Sequence, residues 1–202
     1  MLSLDEYLRE AEVAHGHLCA GQVLGVRLAM LGLEKLGIKD PRGNKEDRKR
    51  LVTFVEIDRC ATDAISLVTG CRLGKRALKF RDWGKMAATF VDLGIKDVST
   101  GKAIRIAAKE SSKALASAMH PEVEGKNQQQ MLAYREMADD DLFTTQWVKV
   151  ELGPEEFPGY KGERVACEVC GEGINFRKEV RRDGKVLCRA CAGESYYEPL
   201  AE

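Results

Sequence analysis

The stretch HGHLCAGQVLGVRLAMLGLEKLG, residues 15–37, predicts the central helix of the fold. After Cys19 its apolar residues recur with helical spacing, and the pattern stops at Leu36-Gly37, a common form of helix end. Three small residues spaced four apart lie on one face of this helix: Gly21, Gly25 and Ala29. Because small side chains let another backbone approach closely, we expect a buried helix with a second element packed against that face.

The composition is that of a soluble globular protein. The 202-residue chain is 44% hydrophobic and 32% charged with zero formal net charge, so no overall charge draws it to nucleic acid or membranes. No apolar run approaches the roughly 20 residues that a membrane helix needs, and the acidic N-terminus is unlike a signal peptide. We therefore expect a cytoplasmic protein with one good core and a small appendage, and no membrane partner.

Strand and helix patterns follow the central helix. LVTFVEI, residues 51–57, is apolar on both faces and predicts a buried strand, after which a short helix is expected from Cys60 to Gly70. ALKFRDW and MAATFVDL flank Gly84-Lys85 and predict a β-hairpin. Further strands are expected at residues 102–108 and 145–152, and further helices at 108–119 and 125–143. A boundary is expected at GPEEFPGYKG, which has two prolines and three glycines.

These patterns predict two domains. Residues 1–152 are expected to form an α+β core with a mixed β-sheet flanked by helices. Residues 153–162 are expected to form a linker, and residues 163–202 a small zinc-ribbon-like β-hairpin domain.

Four of the seven cysteines form two spaced pairs near the C-terminus. Cys167-x-x-Cys170 and Cys188-x-x-Cys191 are separated by 17 residues, a spacing typical of a four-cysteine zinc site. Between them, Asp183-Gly184 is a strong hairpin-turn dipeptide that brings the second pair back beside the first. A redox dithiol pair and an iron–sulfur site are the alternatives, although an electron-transfer cluster does not need a hairpin. With all four ligands from the protein, the predicted zinc is structural.

A second group of metal-binding side chains lies directly before the central helix. His15, His17 and Cys19 share one side if this segment is extended, whereas a helix that begins earlier places only His15 and Cys19 on one face. Cys19 and Cys60 each lie where a helix is expected to start, and there the helix dipole favours a thiolate. We therefore take all four residues as a candidate second metal site, with Cys60, Cys19 and His17 as candidate catalytic groups.

Other signals are weaker. GCRLGK, residues 70–75, is one residue short of a phosphate-binding loop, and Arg76 replaces the metal-binding hydroxyl, so Lys75 is expected to be an ordinary surface lysine. Cys71 is as readily an inert buried thiol as a site residue. The basic segment 39–50 has no interleaved aromatic residues and is expected to be a solvated loop. We therefore do not expect nucleic acid as a partner.

Three motifs together resemble one known family. At HGHLCAGQVLGVRLA, Cys60-Ala-Thr-Asp63 and GCRLGK, the sequence resembles the E-subunit family of formylmethanofuran dehydrogenase over most of residues 10–110. The cysteine-rich tail resembles the zinc finger of many members. The resemblance implies an α+β core with a cleft around these His, Cys and Asp positions, and a homodimer. Some members are encoded beside the molybdenum or tungsten dehydrogenase that reduces carbon dioxide onto methanofuran, which implies such a partner and one-carbon metabolism in an anaerobe.

Three functions follow from these observations. The favoured one is a metal-binding accessory or regulatory protein, with a metal in the core cleft and a zinc finger for docking. The second is a thiol- or metal-dependent redox enzyme that uses Cys60 or Cys19 with a histidine as base. The third is a zinc-finger regulator that binds nucleic acid. The sequence does not establish catalysis.

Overall fold

The central helix is present and is buried along most of its length. In the computed structural model, which describes residues 1–94 and 102–200, α1 spans Leu4–His15 and α2 spans Ala20–Leu36. At the end of α2, Gly37 adopts the left-handed backbone (φ 68°) that terminates helices. The prediction of a buried helix is therefore confirmed. No helix among the described residues is both long enough and apolar enough to span a bilayer.

A five-stranded mixed sheet packs against α2. Its strands are β1 Leu51–Val55, β2 Leu78–Phe80, β3 Ala87–Asp92, β4 Lys102–Ala108 and β5 Phe143–Lys149. They are ordered β2-β1-β3-β4-β5, with β1 and β2 parallel and all other neighbours antiparallel. The other helices of this unit are α3 Lys45–Arg50, α4 Cys60–Thr69, α5 Ser111–Met119, α6 Lys126–Glu136 and α7 Asp139–Leu142. This arrangement confirms the α+β class.

The β-hairpin predicted around Gly84-Lys85 is wrong. β2 and β3 do not pair with each other, because β1 lies between them and bonds to both. The connecting segment crosses the end of β1, where the backbone amides of Trp83 and Lys85 both donate to the Glu56 carbonyl at 3.1 Å. Since every residue of β1 is buried, a central position that satisfies both of its edges is favoured over an edge position.

Two further predictions need correction. The helix predicted over residues 125–143 is divided into α6 and α7, because Met137 is extended and the Arg27 side chain donates to the carbonyls of Tyr134 at 2.7 Å and Met137 at 2.9 Å. The basic segment 39–50 is not entirely loop. It contains α3, whose first amides are capped by the Asn44 side chain.

The small face of α2 contacts α4. A methyl group added at Gly25 would lie 2.5 Å from the carbonyl oxygen of Ala61 and 2.7 Å from its Cα, so only glycine fits this crossing. On the sheet side, a methyl group at Gly32 would collide with the Phe90 ring. The predicted close approach is confirmed, and it places the first residues of α2 beside the first residues of α4.

The chain divides into two compact units, Met1–Glu151 and Leu152–Glu202. The second unit contains β6 Val165–Ala166, β7 Gly173–Ile174, β8 Val180–Arg182 and β9 Lys185–Leu187, followed by a helical turn over Ala190–Glu194. β8 and β9 pair as the hairpin predicted at Asp183-Gly184, both of which have positive φ. Its apolar cluster is small and includes Ile174 and Leu187, so this unit depends on a bound metal for much of its stability.

Candidate metal centre

The four C-terminal cysteines converge on one point. One sulfur from each of Cys167, Cys170, Cys188 and Cys191 lies within 4.8 Å of the others, and none of them forms a disulfide. The Cys170 and Cys188 sulfurs are 3.9 Å apart, far beyond a sulfur–sulfur bond. Four thiolate donors in this spacing fit a tetrahedral zinc ion with no open position. The predicted structural zinc site is therefore supported.

Backbone amides in the second unit favour the thiolate that zinc requires. Hydrogen bonds from the backbone of Cys170 and of Cys188 lower the pKa of Cys167 to about 6, and the Cys188 amide lies 3.2 Å from its sulfur. By contrast, the neighbouring sulfur of Cys188, followed by burial, raises the pKa of Cys191 to about 12. A divalent cation relieves this crowding of sulfurs because it stabilises all four thiolates at once.

The second cluster lies in the first unit, in the short turn between α1 and α2. His15 is the last residue of α1, Gly16 reverses the chain with φ 92°, and Cys19 directly precedes α2. One ligand atom from each of His15, His17 and Cys19 lies within 4.8 Å of the others. Neither of the two expected geometries, one strand or one helix, is correct, because a helix–turn–helix junction brings the three side chains together.

Asp63 orients one of these histidines. Its carboxylate on α4 lies 3.0 Å from His15 Nδ1, so the other ring nitrogen, Nε2, is left to bind a metal. A carboxylate behind a metal-binding histidine fixes the ring and increases its basicity. The sequence places Asp63 near the cleft only through the family resemblance, because 48 residues separate it from His15.

Cys60 is the first residue of α4 and lies beside Cys19. A methyl group added at Gly21 would lie 3.2 Å from Cys60 Cβ and 3.7 Å from Cys19 Sγ, so the two thiols flank this glycine. Burial and the neighbouring Cys19 raise the pKa of Cys60, which is opposite to the shift expected from its position at a helix start. The helix dipole is therefore outweighed, and the hypothesis of an activated Cys60 thiolate loses its main support.

Cys71 lies apart from this cluster. It is buried and 3% exposed, its sulfur accepts from the Thr53 hydroxyl at 3.5 Å, and it contacts the Leu51 carbonyl at 3.7 Å. Burial raises the pKa of its thiol. It does not line the cleft that contains Cys19 and Cys60, so its place in the core explains it.

A cleft of about 490 Å³ opens on His17, Cys19 and Cys60. Residues distant in sequence complete its wall, and they include Lys109, Glu110, Lys113, Asn127, Gln130 and Tyr134. The Asn127 side chain accepts a hydrogen bond from the first amide of α2 at 3.2 Å. The sequence patterns did not identify these residues, since nothing in α5 or α6 marks them as neighbours of the histidine motif.

Fold and sites together define an α+β domain joined to a four-cysteine zinc finger, which is a metal-binding protein. Residues 14–144 match the family described as FmdE, Molybdenum formylmethanofuran dehydrogenase operon, and residues 159–197 match the prokaryotic dksA/traR C4-type zinc finger. The first match covers more than half of the chain. The protein therefore belongs to the FmdE family, as the resemblance of its motifs indicated.

Two similar proteins extend this comparison. A probable S-adenosyl-L-methionine-binding protein from Archaeoglobus fulgidus is 31% identical over 96% of this chain, which spans 54% of that protein's length. A solved structure of an FmdE-like protein of the tungsten formylmethanofuran dehydrogenase type, from Syntrophus aciditrophicus, matches 98% of this chain and 96% of its own, with a TM-score of 0.62 at 24% identity. The second likeness shows the fold alone.

Proposed function

We propose that this protein binds a second, exchangeable metal ion in its core domain and acts as an accessory or regulatory protein of a metalloenzyme. The observation that carries the proposal is the convergence of His15, His17 and Cys19, whose ligand atoms lie within 4.8 Å of one another. Two imidazoles and one thiolate form a donor set suited to zinc or a similar divalent transition metal.

The geometry supports an open rather than a closed site. Three protein ligands leave one position of a tetrahedral ion free, as in zinc sites that bind a further molecule. That position is available to Cys60 or to a ligand in the adjoining cleft, which both thiols line. His17 is exposed to solvent, so the metal can enter and leave without unfolding of the domain.

The biological setting is part of the same proposal. The operon named in the family description supports a partner that is a molybdenum or tungsten dehydrogenase of anaerobic one-carbon metabolism. We propose that the protein is cytoplasmic and homodimeric, and that the zinc finger serves for docking. The closed four-cysteine site supports such a role because it stabilises a small module without providing an open metal position.

Metal analysis of anaerobically purified full-length protein tests the second site. We expect about two metal ions per chain for the wild type and about one for His17→Ala, since the finger keeps its zinc. His120→Gln is the matched control because His120 is the remaining histidine of the chain and is absent from the cluster. Equal metal content in the wild type and His17→Ala would overturn the proposal.

The relative from Archaeoglobus suggests a second candidate function for the cleft. Its name describes binding of S-adenosyl-L-methionine, and the 31% identity extends over 96% of this chain. A cavity of about 490 Å³ is within the usual size range of small-molecule sites. Equilibrium dialysis with labelled S-adenosyl-L-methionine tests this candidate, and absence of binding to metal-loaded protein would remove it.

A further inference from the structure

A second cavity of about 490 Å³ lies on the other side of the His15–Asp63 pair. Its wall is formed by α1, the segment before α3, α3 itself and the turn that follows α4. Six charged side chains line it: Glu10, Arg42, Arg48, Asp63, Arg72 and Lys75. Cations therefore outnumber carboxylates by four to two around this cavity.

Both carboxylates of the cavity already have partners. Glu10 accepts from the Arg42 guanidinium at 2.6 Å, and Asp63 contacts His15 Nδ1 at 3.0 Å. Within the part of the chain that the structure describes, no ion pair or side-chain hydrogen bond forms to Arg48, Arg72 or Lys75. Three cations from three separate segments thus face one concave space without a counter-charge.

We propose that this cavity binds the phosphate group of a small phosphorylated molecule. Two guanidinium groups and one ammonium match the charge of a phosphate ester, and guanidinium forks bind its oxygens in pairs. The volume exceeds what an inorganic ion needs, and Ala14, Pro41 and Leu67 offer an apolar wall for the rest of the ligand.

This site is separate from the proposed metal centre. None of its basic residues belongs to the metal-binding cluster, and Asp63 is the residue that borders the cavity and also contacts that cluster. Phosphate binding should therefore persist when the metal ligands are removed. This independence allows the two proposals to succeed or fail separately.

Titration of ¹⁵N-labelled full-length protein with phenyl phosphate, followed by NMR, tests the proposal. We expect saturable shifts of the Gly70 and Lys75 amides, weaker binding at high salt, and about tenfold or more loss of affinity in Arg48→Gln and in Arg72→Gln. Lys49→Gln is the matched control, because it removes one charge from α3 at a residue that does not line the cavity. His17→Ala should bind phenyl phosphate as the wild type does.

Four results would overturn the proposal. They are absence of saturable binding, an equal loss of affinity in Lys49→Gln, loss of binding in His17→Ala, and tighter binding of phthalate than of phenyl phosphate. The last comparison separates phosphate from carboxylate recognition, since both probes are aromatic dianions. Because Arg48 and Arg72 are not buried in the core, their glutamine variants should keep the wild-type spectrum outside the cavity.

Discussion

Replacing Gly25 with alanine tests whether the close contact of α2 with α4 stabilises the core that carries the candidate metal centre. The new methyl group would lie 2.7 Å from Ala61 Cα, whereas non-bonded carbons prefer about 3.5–4.0 Å, so α4 would have to move by about 1 Å. Overpacking of this kind costs about 1–3 kcal/mol, and the higher helix propensity of alanine returns about 1 kcal/mol. We expect a net loss of about 1–2 kcal/mol in the free energy of unfolding.

Gly21→Ala is the matched control, because it lies one turn earlier on the same face of α2. Its methyl group would be 3.2 Å from Cys60 Cβ, a side-chain atom, and 3.8 Å from the nearest backbone atom, the nitrogen of Ala61. With a milder contact and the same gain in helix propensity, Gly21→Ala should stay within about 1 kcal/mol of the wild type.

Urea denaturation followed by tryptophan fluorescence measures this difference in the correct unit. The chain has two tryptophans, Trp83 and Trp147, and both belong to Met1–Glu151, so the zinc finger does not contribute to the signal. A Gly25→Ala variant as stable as the wild type would refute the reasoning. So would a Gly21→Ala variant that loses as much stability as Gly25→Ala.

Two further results are expected. Asp63→Asn should weaken metal binding at the core cluster about 10- to 100-fold, because His15 loses the carboxylate that orients it. Competition with a fluorescent chelator measures this change, and an unaltered affinity would exclude that role for Asp63. Removal of zinc by a strong chelator should unfold only the second unit, since zinc supplies about 10–16 kcal/mol in modules of this kind. Amide signals of residues 165–187 should then collapse while tryptophan fluorescence stays native, and a loss of the native fluorescence would contradict the independent core of the first unit.

The parts of the sites that were predictable from sequence are those encoded over short distances. Cys167-x-x-Cys170, Asp183-Gly184 and the second cysteine pair specify a turn, a hairpin and a return to the same point. His15, His17 and Cys19 lie within five residues, so any compact backbone brings them close. Their junction geometry was not predictable, because it depends on the left-handed turn at Gly16.

The parts that were missed depend on the order of elements in space. The strand patterns flanking Gly84-Lys85 fit a hairpin, but the patterns cannot show that β1 inserts between β2 and β3. Arg48, Arg72 and Lys75 come from two segments that each appeared to be ordinary basic surface. Only the packing of α1, α3 and α4 turns them into one cavity, and no local pattern records that packing.

The first turn of α4 connects both cavities of the first unit. Cys60 faces the cleft with Cys19 and His17, whereas Asp63, one helical turn later, contacts His15 and borders the basic cavity. The position of this turn is set where Ala61 meets Gly25, at a distance that no larger side chain permits. A shift of α4 at this crossing would therefore change both sites together, whereas the charges of the basic cavity can be removed without moving the metal ligands.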